Sequence, residues 1–187
     1  MKLLALLCCA MGASLLWTAA AAAAELQPAK PVPENLYSGR WYEIARTPNR
    51  LQNNCEGSTS DFLHWNDGDF QFVLTCHKGS AQGPTSTLNA HGHVLPESDN
   101  TKMKLGFFGG FVTQEYWIVD RADDDSWAIM ATPTGRYVWL LSRSPILDPK
   151  VKSRAMARME ALGFDCSRLA YPLQQAELTA ANEGGTR

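Results

Sequence analysis

The spacing that most invites a metal ion is His91-Gly92-His93, because residues two apart share one face of a strand. A closed zinc site needs four ligands and a catalytic one needs three. No third ligand is evident beside this pair. Two exposed strand histidines are therefore expected, with no metal and no cofactor. Asp123-Asp124-Asp125 has the charge to attract calcium, but between two apolar runs it reads as a solvated hairpin turn. Asp61, Asp67 and Asp69 are spread over a strand and its turn and offer no paired acid and base. Phosphate loops, nucleophile elbows and zinc-protease helices are missing from the sequence. The chemistry that remains is non-covalent binding, and the expectation is a protein that catalyses nothing.

Cysteine chemistry depends on compartment, and the N-terminus speaks to it. Met1-Lys2, an apolar stretch from Leu3 to Trp17 and an alanine run to Ala24 have the layout of a secretory signal peptide, residues 1–24, with cleavage after Ala24. The competing reading is an uncleaved anchor, since the segment is just long enough to span a bilayer. A lipid anchor on Cys8 or Cys9 fits less well, because leucines and Cys8 stand where a small residue is needed. Export to the periplasm or the medium, as a soluble mature protein, is expected. Cleavage removes one lysine and no acid and moves the formal net charge from −2 to −3. A mildly acidic chain without a basic run argues against nucleic acid as a partner. Cys55, Cys76 and Cys166 remain, enough for one disulfide with one thiol left over. Spacing alone leaves the pairing open. A tight turn at Asp67-Gly68 sets Cys76 opposite Thr59, and the four residues back to Cys55 span about 13 Å of extended chain. A Cys55–Cys76 bridge then needs a bulge or a folded-back loop; Cys55–Cys166 is the rival.

These residues must be positioned by a mostly β domain covering residues 25–175. From Gly39 to Ser142 the chain is a series of short apolar runs broken by turn signals: residues 40–46, 58–65, 69–76, 85–95, 101–108, 114–120, 126–132 and 136–142. Only the connection from Thr47 to Gly57 is long. This is the pattern of an all-β, eight-stranded, antiparallel up-and-down β-barrel closing on itself. One segment departs from it. Asp148 is placed to cap a helix with Pro149 at its first position, Val151, Ala155, Met159 and Leu162 repeat at helical spacing, and Gly163 stops it. Such a C-terminal α-helix must lay its single apolar stripe on the barrel wall. A short return strand around Ser167–Tyr171 and a flexible polar tail over residues 176–187 complete the reading.

Gly39-Arg40-Trp41-Tyr42-Glu43-Ile44-Ala45-Arg46 resembles the first signature of the lipocalin family, a glycine-x-tryptophan at the start of strand one. Arg143, ending the eighth run in WLLSR, matches the arginine that lies over that indole at the closed base of lipocalin barrels, a cation–π contact. The resemblance spans about residues 32–175. It points to the bacterial and apolipoprotein D-like branch, which shares the GRWYEIAR start, the YWI of the sixth strand, the WLLSR end and the helix after it. The second lipocalin signature, threonine-aspartate-tyrosine, is replaced by DRADDDSW over Asp120–Trp127. The same resemblance, through CEGSTSDF and TCHKG, implies a Cys55–Cys76 bridge with Cys166 free.

The family fold implies an interior that holds one small ligand. The inward residues carried over by resemblance are Met103, Leu105 and Phe107 on strand five, Tyr116 and Ile118 on six, Ala128 and Met130 on seven, and Tyr137 and Trp139 on eight. Methionine adapts to irregular ligands, and tyrosine and tryptophan join an apolar face to a polar tip. No lysine or arginine falls in this set. A small apolar or amphiphilic ligand is implied, a fatty acid or lysophospholipid foremost, carried by a monomer or weak dimer that makes peripheral membrane contact. The other readings are a protein-interaction or inhibitor barrel acting through residues 47–57, and a haem or pigment carrier. A carrier predicts a deep dry pocket with one mouth; an interaction barrel predicts a filled interior and an exposed apolar patch.

Overall fold

The computed structural model of the chain describes residues 26–64 and 68–184; the signal peptide read at residues 1–24 lies outside the described residues. A short 3-10 helix, Glu34–Tyr37, leads into eight strands: β1 Gly39–Arg46, β2 Cys55–His64, β3 Asp69–Lys78, β4 Thr85–Val94, β5 Lys102–Phe107, β6 Val112–Arg121, β7 Trp127–Ala131 and β8 Val138–Ser142. Each pairs antiparallel with the next, and β8 returns to β1, so the sheet is a closed barrel in simple meander order. The eight runs of the sequence and the eight strands correspond one to one.

Three register shifts shape the wall, each the kind of local bend a bulge introduces. The shift in β1 between Glu43 and Ala45 turns Ile44 and Ala45 to the outer wall and leaves Glu43 and Arg46 together in one buried group. The shift in β2 between Glu56 and Thr59 resolves the cysteine geometry. Thr59 faces Thr75 rather than Cys76, Gly57 takes φ +52°, and the cysteines are drawn together. Cys55 and Cys76 are bridged with Cα atoms 5.3 Å apart, and Cys166 is free. Gly57 is required twice over, since a Cβ there would also meet the His77 ring at 3.0 Å.

Apolar side chains fall into two bodies divided by the sheet. Inside, Trp41, Phe62, Phe70, Met103, Leu105 and Trp139 belong to one continuous core. Outside, Trp117, Val119, Ile129 and Leu140 are covered by Ala155 and Met159 of helix α1, Pro149–Ala161. That helix begins and ends as its sequence directs. The Asp148 carboxylate accepts hydrogen bonds from Lys150 N at 2.9 Å and Val151 N at 3.3 Å, and Gly163 leaves it at φ +89°, the left-handed exit that glycine allows.

One C-terminal expectation is corrected, and an element is added after it. The return strand shrinks to one antiparallel bridge between Arg46 and Ala170, because Cys166–Arg168 curls into a 3-10 turn around the Asp165 carboxylate. Residues 176–184, expected as part of a mobile tail, lie in helix α2, Gln175–Gly184. Its start is held by the Glu177 carboxylate, which accepts from Gln174 N at 2.8 Å. The preceding residue is tied down by the Glu56 carboxylate, which accepts from Leu173 N at 2.5 Å.

Candidate functional site

The two ends of the barrel are built from different chemistry. At the closed end the 3-10 helix plugs the barrel and Tyr37 stacks on Phe70 at 5.6 Å between ring centroids. Phe62 touches both Phe70, at 5.3 Å, and Phe72, at 5.2 Å. Gly92 makes room for this cluster, since a Cβ there would lie 2.1 Å from the Phe70 ring. Beneath it Arg143 lies 3.7 Å over the Trp41 ring. Its guanidinium donates to the carbonyls of Asn35, Leu36, Ser38 and Arg40 at 2.6–3.3 Å, and Trp41 Nε1 donates to Leu36 O at 3.1 Å. Gly39 enters β1 at φ +67°. One arginine thus seals the indole and shares the plug's carbonyls, Leu36 O with Trp41 Nε1 and Asn35 O with Ser38 Oγ.

The other half holds an interior cavity. It is lined by Leu105, Phe107, Tyr116, Met130 and Trp139 from the expected set, and by Phe72, Leu74 and Leu88 from strands β3 and β4. Tyr116 stands edge-on to Trp139 at 5.6 Å, and burial pushes its phenol up to about 12. The remaining expected residues are inward or rim-lying but off the cavity wall. Met103 and Ile118 are buried in the interior core, and Tyr137 packs 6.3 Å from Trp139 under Arg136. The deep pocket that a carrier implies is corrected to a narrow one of about 40 Å³, room for only a few water molecules. Aromatic side chains fill the closed half, and the lid leaves little space above them.

That lid is the long first connection, residues 47–54, and beneath it lies a buried polar group. Gln52 Nε2 donates to both Glu43 carboxylate oxygens at 2.6 Å, while Gln52 Oε1 accepts from Trp139 Nε1 at 3.0 Å and Asn49 Nδ2 at 2.8 Å. Arg46 Nη1 donates to Glu43 at 3.3 Å, and its Nη2 to the carbonyls of Gln52 and Cys55 at 3.2 and 2.7 Å. Gln174 ties the C-terminal segment to the same group through Glu43 O at 2.9 Å and Ser58 O at 3.3 Å. Burial raises the Glu43 carboxyl above the ordinary carboxylate range, against the opposing pull of Arg46 and Gln52. Glu43, Asn49, Gln52 and Ser60 all reach the cavity wall.

Part of this polar group was within reach of the sequence. Glu43 is two residues from the inward Trp41, and Ser60 two from the inward Phe62, so strand alternation places both inside. Gln52 lies in a loop, where no periodicity operates. The metal-like pair proves to be a surface arrangement: His93 Nδ1 lies 2.7 Å and His91 Nε2 3.7 Å from Asp69 Oδ1. The aspartate turn is laced by two ion pairs, an exposed one, Lys30–Asp123 at 2.7 Å, and a partly buried one, Arg121–Asp125 at 2.6 Å. Asp120 is paired with Arg158 of α1, which ties the replaced second signature to the helix.

A family description, the lipocalin-like domain, matches residues 34–174. The outer membrane lipoprotein Blc of Vibrio cholerae is 29% identical over 151 residues, covering 78% of this chain and 86% of that protein. Apolipoprotein D of Rattus norvegicus is 29% identical over 138 residues, covering 66% of this chain and 69% of its own length. Among solved structures, insecticyanin of Manduca sexta superposes with a TM-score of 0.66 at 16% identity, over 82% of this chain and 87% of that one. Lobster apocrustacyanin A1 does so with a TM-score of 0.60 at 18% identity, over 75% and 79%. Likeness at that identity speaks to the fold alone.

Proposed function

The chain belongs to the lipocalin family, and from that premise we propose that it carries a single-chain lipid, a fatty acid or a lysophospholipid, in the open half of its barrel. The observation that bears most weight is the cavity wall itself: Leu105, Phe107, Tyr116, Met130 and Trp139 converge on one space beneath a lid, an apolar lining with a few polar groups, as ligand sites have. The cavity must widen to admit an acyl chain. The parts able to move are the lid, where Leu51 is 62% exposed although it also lines the cavity, and Met130, whose unbranched side chain repacks readily. Binding rather than catalysis is the role this lining supports. Export as a soluble mature protein after cleavage at Ala24 belongs to the same reading; an intact-mass measurement starting at Glu25 supports it, and a lipid-modified N-terminus contradicts it.

Around the same mouth the β5–β6 connection exposes Phe108, Phe111 and Val112, with Phe111 at 93%. An exposed apolar patch is the mark expected of an interaction barrel, but this one forms a rim continuous with an apolar cavity, and that continuity favours contact with a lipid surface from which the ligand would enter. The test is tryptophan emission during titration with a long-chain fatty acid and with a lysophospholipid, with Trp139→Phe as control. A saturable change that is lost in the control supports the proposal. No change with either lipid, together with failure of a hydrophobic dye to bind, removes it and leaves an interaction barrel acting through residues 47–57.

A further inference from the structure

The ladder between β1 and β2 runs only from Gly39–Phe62 to Tyr42–Thr59. Beyond it β1 keeps β8 as its partner and β2 keeps β3. The sheet therefore has a seam beneath the lid, and the backbone groups that face it need partners from elsewhere. Residues 170–174 supply them. Ala170 takes the place beside Arg46 that β2 would hold, its N donating to Arg46 O at 2.8 Å and its O accepting from Arg46 N at 2.9 Å. On the β2 side Leu173 O accepts from Gly57 N at 2.9 Å, and the Glu56 carboxylate accepts from Leu173 N. Gln174, only 3% exposed, spans the seam, its Nε2 donating to Glu43 O on β1 and to Ser58 O on β2.

The strand ends that hold this strap also hold the lid. Glu43 binds Gln52 through its carboxylate and Gln174 through its carbonyl. Arg46 reaches the carbonyls of Gln52 and Cys55 through its guanidinium, and Ala170 through its backbone. Moving the end of β1 therefore breaks both sets of bonds together. The strap itself is lightly held: it makes one isolated bridge, and Tyr171 and Leu173 are 47% and 51% exposed. Segments with so little buried apolar surface open at low free energy. We propose that residues 170–174 are the latch of the lid: when the strap leaves, the lid lifts and β1 parts from β2 along the seam. Resting on the carrier reading above, this makes the strap the gate that sets how fast a ligand enters.

Amide exchange of the full mature chain is followed by mass spectrometry, beside the association rates of anilinonaphthalene sulfonate and oleate. Gln174→Ala is expected to speed exchange tenfold or more both at residues 170–174 and at residues 47–57, and to leave residues 69–74 at the closed end within twofold. Glu56→Ala, which frees the strap from β2 alone, should give the same pair of changes at smaller size. Gln52→Ala, which frees the lid from inside, should speed exchange in the strap, because coupling is reciprocal. The dye should enter Gln174→Ala at least fivefold faster than the wild type. Faster exchange in the strap over an unchanged lid, in both strap variants, overturns the proposal and leaves the carrier reading standing; so does dye entry at the wild-type rate. If neither the dye nor oleate binds any of these proteins, the carrier reading falls and the gate with it.

Discussion

The closed and open halves of the barrel share eight strands but solve opposite problems. In the closed half Tyr37, Phe62, Phe70 and Phe72 interlock ring to ring, and Arg143 satisfies four backbone carbonyls while covering Trp41. The open half keeps a carboxyl, an arginine and a glutamine buried together under a loop, beside a cavity and an unpartnered serine. A closely packed aromatic end tolerates little change of volume, whereas a polar group under a lid sacrifices stability for a place where something else can bind. Stability and binding are thus separated along the barrel axis, and substitutions should sort by half.

The largest effect is expected from Phe70→Ala. Removing a fully buried ring from the aromatic cluster should cost about 3–5 kcal/mol in urea unfolding. Lipid affinity, measured where the variant is still folded, should stay within twofold. A parallel loss of affinity would break the separation of the halves. Next comes the Cys55–Cys76 bridge, which closes the β2–β3 hairpin on the lid side. Replacing both cysteines with alanine should cost roughly 2–4 kcal/mol and, unlike Phe70→Ala, should loosen the lid as seen in faster amide exchange over residues 47–57. Arg143→Ala follows at about 1–3 kcal/mol, through the lost cation–π contact, the lost packing of its alkyl stem and the uncapped carbonyls. An unchanged melting temperature would mean that the plug holds without it.

The smallest effect is a pH dependence belonging to the open half alone. Burial raises the folded-state carboxyl of Glu43 above its unfolded value, so the folded protein holds that proton more tightly. The resulting stability is fully present below the ordinary carboxylate range and is lost as pH rises through the raised value. Glu43→Gln should flatten the fall in stability over that window. If the slope persists unchanged, the carboxyl is not the group responsible.

How legible each half was in the sequence follows from the kind of signal involved. Trp41 and Arg143 could be paired because family resemblance joins two motifs about a hundred residues apart, and the helix could be placed because Asp148, Pro149 and Gly163 are local stop and start signals. The cavity wall was read on the strands where resemblance supplied the face, and Phe72, Leu74 and Leu88 on β3 and β4 were not assigned. Strand alternation could place Glu43 and Ser60 inside, but the joining of the polar group under the lid was hidden for a different reason. It depends on the β1 bulge between Glu43 and Ala45, which lets Glu43 and Arg46 meet although they are three residues apart in a strand, and on a loop glutamine. Bulges and loops leave no periodic trace. The helix Gln175–Gly184 left no such trace either, because it follows Gln174, which reaches Glu43 and Ser58, contacts that only the fold creates.

The most direct test of the open half as a lipid site is native mass spectrometry of the delipidated mature protein re-exposed to oleate and lysophospholipid, beside Leu88→Trp, which fills the cavity from its wall. A one-to-one lipid adduct on the wild type, absent from a Leu88→Trp variant whose melting temperature is within a few degrees, is the predicted result. A wild type that takes up no lipid, or a filled variant that holds the same adduct, would contradict it.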